Sequence, residues 1–183
     1  MAGEIKLNSV NFASESGGTI TVNTGTLGSG VVFPAGHIIQ TVSQNFATYT
    51  LFSSSTYAAI ASNAFEKAIT TSVTNSQILV TIFLSGAGTV SATLAALQLK
   101  ITESVTSLNQ KLDDVIGYAT DTTSTIIHPA TLVYLHAPAQ SSGTTLTYIP
   151  QFAARNDYIN SAFINSQLTT NYGSTLLLQE IAP

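Results

Sequence analysis

Three histidines, His37, His128 and His136, are the only imidazole side chains in this chain of 183 residues. Imidazoles in a cluster could bind a metal ion or transfer protons near neutral pH. His128 and His136 would lie roughly 26 Å apart in a straight strand, so they cannot share a metal ion within one chain. Three copies of one histidine around a symmetry axis could bind a metal, but structural histidines are commoner. We therefore interpret the three as surface or turn histidines.

The carboxylates do not form a catalytic pair in the sequence. Asp113 and Asp114 are neighbours, and neighbouring side chains of a strand point to opposite faces, which makes them a poor acid–base pair. With Glu103 and Asp121 they could form a calcium site, but the chain has no Asp-x-Asp-x-Asp-Gly loop. We predict no bound metal and no cofactor.

The other catalytic and binding patterns are incomplete. No Gly-x-Ser-x-Gly segment, the usual setting of a nucleophilic serine, is present. Gly86-Ala87-Gly88 lacks the third glycine and the following helix of a dinucleotide site, and we predict a hairpin turn there. Several tyrosines could line a glycan-binding surface, although tyrosines of a β domain are more often half-buried strand residues; they are Tyr118, Tyr134, Tyr148, Tyr158 and Tyr172. We expect that the protein is not an enzyme.

Charge is scarce throughout the chain. Lys, Arg, Asp and Glu make up 8% of the residues, against roughly 25% in ordinary globular domains. A net charge of −4 and only five basic residues argue against binding to nucleic acid. The mean hydropathy of +0.31 is high for a lone soluble monomer. Burial against copies of the chain or against a partner would explain this value, although scattered apolar surface is also normal.

Targeting and redox signals are also missing from the sequence. The chain has no cysteine, which excludes disulfides, zinc ribbons and thiol chemistry. Its first residues include no apolar segment typical of a signal peptide. No apolar run approaches the roughly 18 residues of a membrane span, so we predict no membrane contact.

The apolar stretch at residues 76–84 is the element around which the predicted fold is organised. Its run of apolar and β-branched residues predicts a central strand buried on both faces, ending in a turn at 85–89. Shorter strands follow every 8–12 residues with polar turns between them, and Pro129 indicates an edge strand or a bulge. This pattern predicts an all-β fold, an antiparallel β-sandwich or jelly roll.

Residues 94–117 give two conflicting patterns. Five apolar residues have helical spacing, namely Ile101, Val105, Leu108, Leu112 and Val115, whereas residues 97–101 alternate as a strand does. We predict a strand to about Glu103 and a short helix or irregular loop over 108–113. A coiled coil is the less favoured alternative, because only two heptads are available.

The first 36 residues are rich in glycine, serine and threonine, and they predict an extended N-terminal arm that precedes a β-sandwich domain at 37–183. Apolar residues recur along the arm, which suggests that it adds strands to a neighbouring subunit; the alternative is an unstructured leader. The predicted attachment or inter-subunit residues are Ile5, Leu7, Val10, Phe12, Ile20, Val22, Phe33, Pro34 and His37.

A family resemblance rests on several stretches that are distributed over nearly the whole chain. They are the Gly/Thr-rich leader together with residues 31–40, then 76–80, 116–121, 135–138 followed by 145–148, and 174–181. On these stretches the chain resembles a family of small virion proteins of tailed bacteriophages, many from aquatic hosts. The motifs of that family are structural, so the resemblance implies no active site.

The resemblance implies a homotrimeric β-sandwich on the outer surface of the virion, made in the host cytoplasm. One placement is a capsid decoration (cement) protein that binds the major capsid protein lattice and stabilises the head. The alternative is the tip of a tail fibre or tailspike, held by tail proteins and binding a host receptor; a hydrolytic tip enzyme is a remote third. Fibre tips usually follow a long repetitive shaft, and the leader here is short, which favours the head.

Overall fold

The computed structural model describes residues 4–7, 10–16, 19–22, 34–89, 95–119, 126–155, 162–165 and 173–183, the first three ranges by their backbone. The chain divides into two compact units, Met1–Phe33 and Pro34–Pro183. In the described part of the chain, no helix is long and apolar enough to cross a membrane.

The first unit contains a small antiparallel sheet. Its strands β1 (Glu4–Leu7), β2 (Val10–Ser16) and β3 (Thr19–Val22) pair in the order β1–β2–β3. Six of the predicted attachment residues lie in these strands, namely Ile5, Leu7, Val10, Phe12, Ile20 and Val22, and Phe33 lies outside the described residues. Their role in attachment stays a prediction.

The described residues of the second unit contain eleven further strands and one short 3-10 turn at Ala61–Asn63. In chain order the strands are β4 (Ile38–Phe46), β5 (Thr50–Phe52), β6 (Ala58–Ala59), β7 (Lys67–Thr70), β8 (Gln77–Thr89), β9 (Ala95–Glu103), β10 (Leu108–Ala119), β11 (Ile126–His136), β12 (Thr145–Ala154), β13 (Ala162–Ile164) and β14 (Ser174–Ile181). The prediction of an all-β, antiparallel β-sandwich is confirmed.

Two antiparallel sheets enclose one core. The six-stranded sheet runs β4–β14–β8–β13–β5, with β11 also paired to β8, and the five-stranded sheet runs β10–β9–β12–β6, with β7 also paired to β12. Stacked phenylalanines fill the core: the rings of Phe52 on β5 and Phe152 on β12, one from each sheet, lie 5.0 Å apart, and Phe65, which precedes β7, stacks on Phe152 at 6.4 Å. Burying each such ring contributes about 1.5–3 kcal/mol, so this cluster is a large part of what holds the sheets together.

Strand β8 is central, as predicted, because β14 and β13 pair with it along its length and β11 pairs with it as well. The prediction that both of its faces are buried is wrong. Ile78, Val80, Ile82 and Leu84 are fully buried, whereas the residues between them are partly or largely exposed. The sheet has a second sheet on one side only, so the side chains of β8 alternate between core and surface.

The predicted turn at Gly86-Ala87-Gly88 is also wrong, because β8 continues to Thr89. Gly88 instead lies in close contact with the other sheet. Gly117 of β10 has a φ of +63°, and a Cβ atom placed on it would lie 2.7 Å from the Cα atom of Gly88. The two backbones can approach this closely only because neither residue has a side chain.

Residues 95–119 form a hairpin rather than a strand followed by a helix, so the helix or loop over 108–113 and the coiled coil are both wrong. The turn at 104–107 explains the difference. The carboxylate of Glu103 accepts hydrogen bonds from the backbone N–H groups of Val105 (2.6 Å) and Thr106 (2.9 Å). Ser107 has a φ of +58°, which reverses the chain and ends any helical path.

The interruption predicted at Pro129 is confirmed as a bulge in β11. The register of β11 against β8 shifts between His128 and Ala130, and among the described strands β11 pairs with β8 alone. Proline has no N–H to donate, so it is tolerated at an edge or a bulge.

Candidate functional site

The outer face is the side of the six-stranded sheet that points away from the core. Alternate residues of each strand share this side, and the strand register arranges them in cross-strand rows. In order along the sheet, the rows are Ile38, Ile181 and Gln77; Thr41, Gln179, Leu79 and Leu135; Ser43, Leu177, Thr81 and Val133; and Asn45, Thr175, Phe83 and Thr131. These residues together are called the outer face below.

The apolar side chains of the outer face are concentrated on β8, β11 and β14. Val133 is 59% exposed, Leu135 is 48% exposed and Phe83 is 42% exposed. Leu79 lies directly opposite Leu135 on the neighbouring strand, and Leu177 lies in the same row as Val133. Several large apolar side chains therefore form one continuous exposed group.

No residue of the outer face carries an ionisable side chain. Strands about 4.8 Å apart and rows about 6.8 Å apart give the face an area of roughly 500 Å². Seven of the fifteen residues in the four rows are apolar, so the apolar part is roughly half of that area, about 250 Å². The arrangement suits contact with another uncharged protein surface.

A second polar feature lies between the sheets. The hydroxyl of Tyr148 on β12 is 2.7 Å from Nδ1 of His136 on β11, and Nε2 of His136 is 3.3 Å from the Thr106 hydroxyl. The Thr106 hydroxyl donates to the carboxylate of Glu103 at 2.7 Å. The Thr106 hydroxyl oxygen therefore accepts a hydrogen bond from Nε2–H of His136. Nδ1 of His136 is then left to accept from the Tyr148 hydroxyl, so the neutral histidine is held as one tautomer.

Burial governs the ionisation of this group. Burial lowers the pKa of His136, although the charge of Glu103 opposes that effect. Burial alone would raise the pKa of Glu103, but hydrogen bonds from Thr106 and Val105 outweigh it and lower the pKa. Burial also raises the pKa of Tyr148. The group is therefore a charged carboxylate linked to a neutral histidine and a neutral tyrosine.

A buried carboxylate fixes β14 to the loop before β8. Glu180 is fully buried and accepts hydrogen bonds from the backbone N–H groups of Ser72 (2.7 Å) and Val73 (3.1 Å) and from the Gln40 side chain (2.6 Å). Burial alone would raise the pKa of Glu180, but these hydrogen bonds outweigh it and lower the pKa. Glu180 thus stabilises the end of β14 in the sheet that carries the outer face.

Asn165 performs a similar role at the other end of the sheet. Its side-chain N–H groups donate to the backbone carbonyls of Phe46 (2.8 Å) and Thr48 (3.1 Å). Its carbonyl oxygen accepts from the N–H and the hydroxyl of Ser174. No pattern in the sequence pointed to Asn165, because its partners are distant in the chain.

The sequence-predicted residues do not come together as a site. His37 and His128 are exposed, as expected, but the prediction of a surface or turn position is wrong for His136, which is buried at the end of β11. Pro34 is exposed, and the turn that joins it to His37 is tied to Ala182 by backbone hydrogen bonds. Among the described residues, no group of three His, Cys, Asp or Glu side chains could hold a metal ion.

Comparison with known proteins gives structural likenesses but no sequence family. No protein-family model matches the chain, and no curated protein matches it significantly. The chain is similar to the VP2 subviral particle of infectious bursal disease virus, with a TM-score of 0.41 and 11% sequence identity over 88% of this chain and 43% of that chain. This chain thus spans less than half the length of that VP2 chain, and a TM-score of this size assigns no function.

Proposed function

We propose that this protein is a non-enzymatic structural protein of a bacteriophage virion, and specifically a homotrimeric capsid decoration protein that stabilises the head. The observation that carries the proposal is the outer face, a wide sheet surface with exposed apolar side chains and no ionisable group. A surface of this kind is suited to permanent contact with other subunits, because its burial removes apolar area from water without desolvating a charge.

The sequence resemblance supports the same proposal from a different direction. Two of the stretches that carry it, 76–80 and 174–181, coincide with β8 and β14, which form the middle of the six-stranded sheet. A third, 135–138, begins at Leu135 on the outer face. Of the remaining stretches, 145–148 and the described part of 116–121 lie in the five-stranded sheet, so the resemblance covers strands of both sheets of the sandwich.

In the proposed mechanism, trimers bind the capsid lattice where capsomers meet. The first unit, Met1–Phe33, would provide strands that pair with a neighbouring subunit, with each main-chain hydrogen bond worth about 1 kcal/mol net. Such contacts are individually weak. Repeated over many copies on one particle, they would resist the internal pressure of the head.

The number of copies in a purified particle tests the proposal. Quantitative mass spectrometry of virions should find on the order of hundreds of copies, because a decoration protein occupies repeated lattice positions. A few to tens of copies would instead support the alternative, a tail-fibre or tailspike tip. The Thr, Ser and Gln side chains among the apolar residues of the outer face would suit a receptor-binding surface. Absence of the protein from purified particles would overturn both versions.

A further inference from the structure

We infer that the free edge of strand β4 accepts strand β3 from another copy of this chain. The inference rests on the proposed function, in which copies of the chain assemble, and it names the edge that receives the donated strand. Three observations support it: the exposure of the inner side of β4, the condition of the other sheet edges, and the strand that the chain itself has to donate.

The inner side of β4 is only partly covered. Val42 and Gln44 lie opposite Leu178 and Leu176 of β14, on the side of the sheet that points to the core. The two leucines are fully buried, whereas Val42 and Gln44 are half-buried. Among the described strands β4 pairs with β14 alone, so its other edge offers a row of backbone N–H and C=O groups that an extended strand matches. A strand added there would extend the core over Val42.

The other described edges carry features that oppose strand addition. Strand β10 has three shifts of register against β9 and contains Lys111 and Asp113, and strand β11 contains Pro129 with a bulge beside it. Charges, prolines and bulges of this kind protect edges from pairing. The edge strands β5, β6 and β7 are only two to four residues long.

Strand β4 has none of these features. Its nine residues contain no charge, proline or glycine, and its register against β14 is regular from Gln40 to Phe46. Among the described edges it is therefore the long one that is open to a partner strand.

The chain itself carries a strand that suits this edge. In the sheet of the first unit, β3 is an edge strand that pairs with β2 alone among the described strands. Its residues 19–22, Thr-Ile-Thr-Val, are all β-branched and uncharged, which favours an extended strand. The opposite edge strand, β1, contains Glu4 and Lys6, and its addition would place charges beside the uncharged β4.

Symmetry favours β3 over a second β4 as the donated strand. Pairing of β3 with β4 joins two different surfaces, so the contact is heterologous and three copies can close it into a ring, as in the proposed trimer. Pairing of β4 with another β4 would be a twofold contact. Because β3 has only four residues, one such pairing is weak, and closure of the ring strengthens it by holding each copy at two sites.

Cross-linking between single-cysteine variants of the full chain tests which strands meet, because the chain has no cysteine of its own. Thr21→Cys is mixed with Ser43→Cys, and a short bismaleimide is added. The mixed dimer should form at least roughly 10-fold faster than in the control mixture of Thr21→Cys with Thr131→Cys, an exposed site on the edge strand β11. Equal rates would overturn the inference. So would a Thr21→Cys/Ser43→Cys double variant that cross-links only within one chain.

A charge on the inner side of β4 provides a second measurement. The ammonium group of Gln44→Lys can reach water while the edge is free, but an added strand would enclose it. Ser43→Lys, on the opposite side of the same strand, is the control. Sedimentation velocity should show trimers of wild type and of Ser43→Lys, and Gln44→Lys weakened by at least roughly 10-fold in Kd. Equal association of all three proteins, or wild type that stays monomeric to about 100 µM, would overturn the inference. The copy number in particles would still decide the proposed function separately.

Discussion

The hydroxyl of Tyr148 and Nδ1 of His136 are 2.7 Å apart and join the two sheets of the sandwich through one buried hydrogen bond. His136 lies on β11 and Tyr148 on β12, and their rings meet edge to face with centroids 5.8 Å apart. Tyr134 stacks on His136 from the same strand, and Lys67 lies opposite Tyr148 in the register of β7. A proton added to Nδ1 would face the Tyr148 hydroxyl, which donates to that atom in the neutral state.

Acid should therefore weaken the fold through His136. Because the pKa of His136 is lowered in the folded protein, the unfolded chain takes up a proton first as the pH falls through the ordinary value of 6.5. Proton uptake then favours unfolding, and stability falls. Thermal unfolding should show a lower Tm at about pH 5 than at about pH 7.5. The lowered pKa values of Glu103 and Glu180 add a further loss at still lower pH.

Substitution of the histidines separates this effect from general acid sensitivity. His136→Gln should lower the Tm at neutral pH but flatten its dependence between about pH 7.5 and about pH 5. His128→Gln, an exposed change on the same strand, should leave both the Tm and its slope unchanged. A pH slope that persists in His136→Gln would contradict the assignment.

Replacing the buried Glu180 should loosen the end of β14. Glu180→Gln keeps the shape of the side chain, but its amide N–H₂ would face N–H donors from Ser72, Val73 or Gln40. A donor facing a donor leaves buried groups unpaired, and we expect a loss of about 1–3 kcal/mol, or roughly 2–10 °C in Tm. The matched change Glu66→Gln, at a half-buried position outside this group, should shift the Tm by less than about 2 °C.

Adding one methyl group between the sheets should be more damaging than the same change in a turn. Gly117→Ala would place a Cβ atom against the Cα of Gly88, and both overpacking and the positive φ oppose it. We expect a loss of at least about 2–3 kcal/mol in urea unfolding. Gly143→Ala has a φ of +87° and no atom within 4 Å, so it isolates the backbone effect at about 1 kcal/mol. Equal losses in the two variants would show that the close approach is unimportant.

The fold class could be predicted from the sequence because its signals are local. The apolar run of β8, the polar turns and Pro129 each indicate structure within a few residues of themselves. The hairpin of β9 and β10 was missed for a physical reason, since its apolar spacing matches a helix and the reversal depends on how Glu103 binds the turn. The spacing of apolar residues does not show that the Glu103 carboxylate binds the turn, so it cannot decide between a hairpin and a helix.

The outer face could not be predicted, because it depends on pairing between distant segments. Val133, Thr81 and Leu177 become neighbours only when β11, β8 and β14 are in register. The same holds for the contact of Gly88 with Gly117, which lie on different sheets; in the sequence Gly88 alone suggested a turn. The low charge of the chain did indicate a surface meant for burial, but not where that surface lies.

The order in which the strands of the six-stranded sheet are synthesised has a consequence for the cell. Strand β8 pairs only with described strands that follow it in the chain, and β4 pairs only with β14. Strand β8 can pair with β11 once residue 136 has been synthesised, but β4 and the other side of β8 wait for β14 at Ser174–Ile181. Until then one side of the apolar strand β8 is unpaired, which makes the incomplete chain prone to aggregation. Nascent chains stalled before residue 174 should require chaperones, whereas completed chains should fold after release.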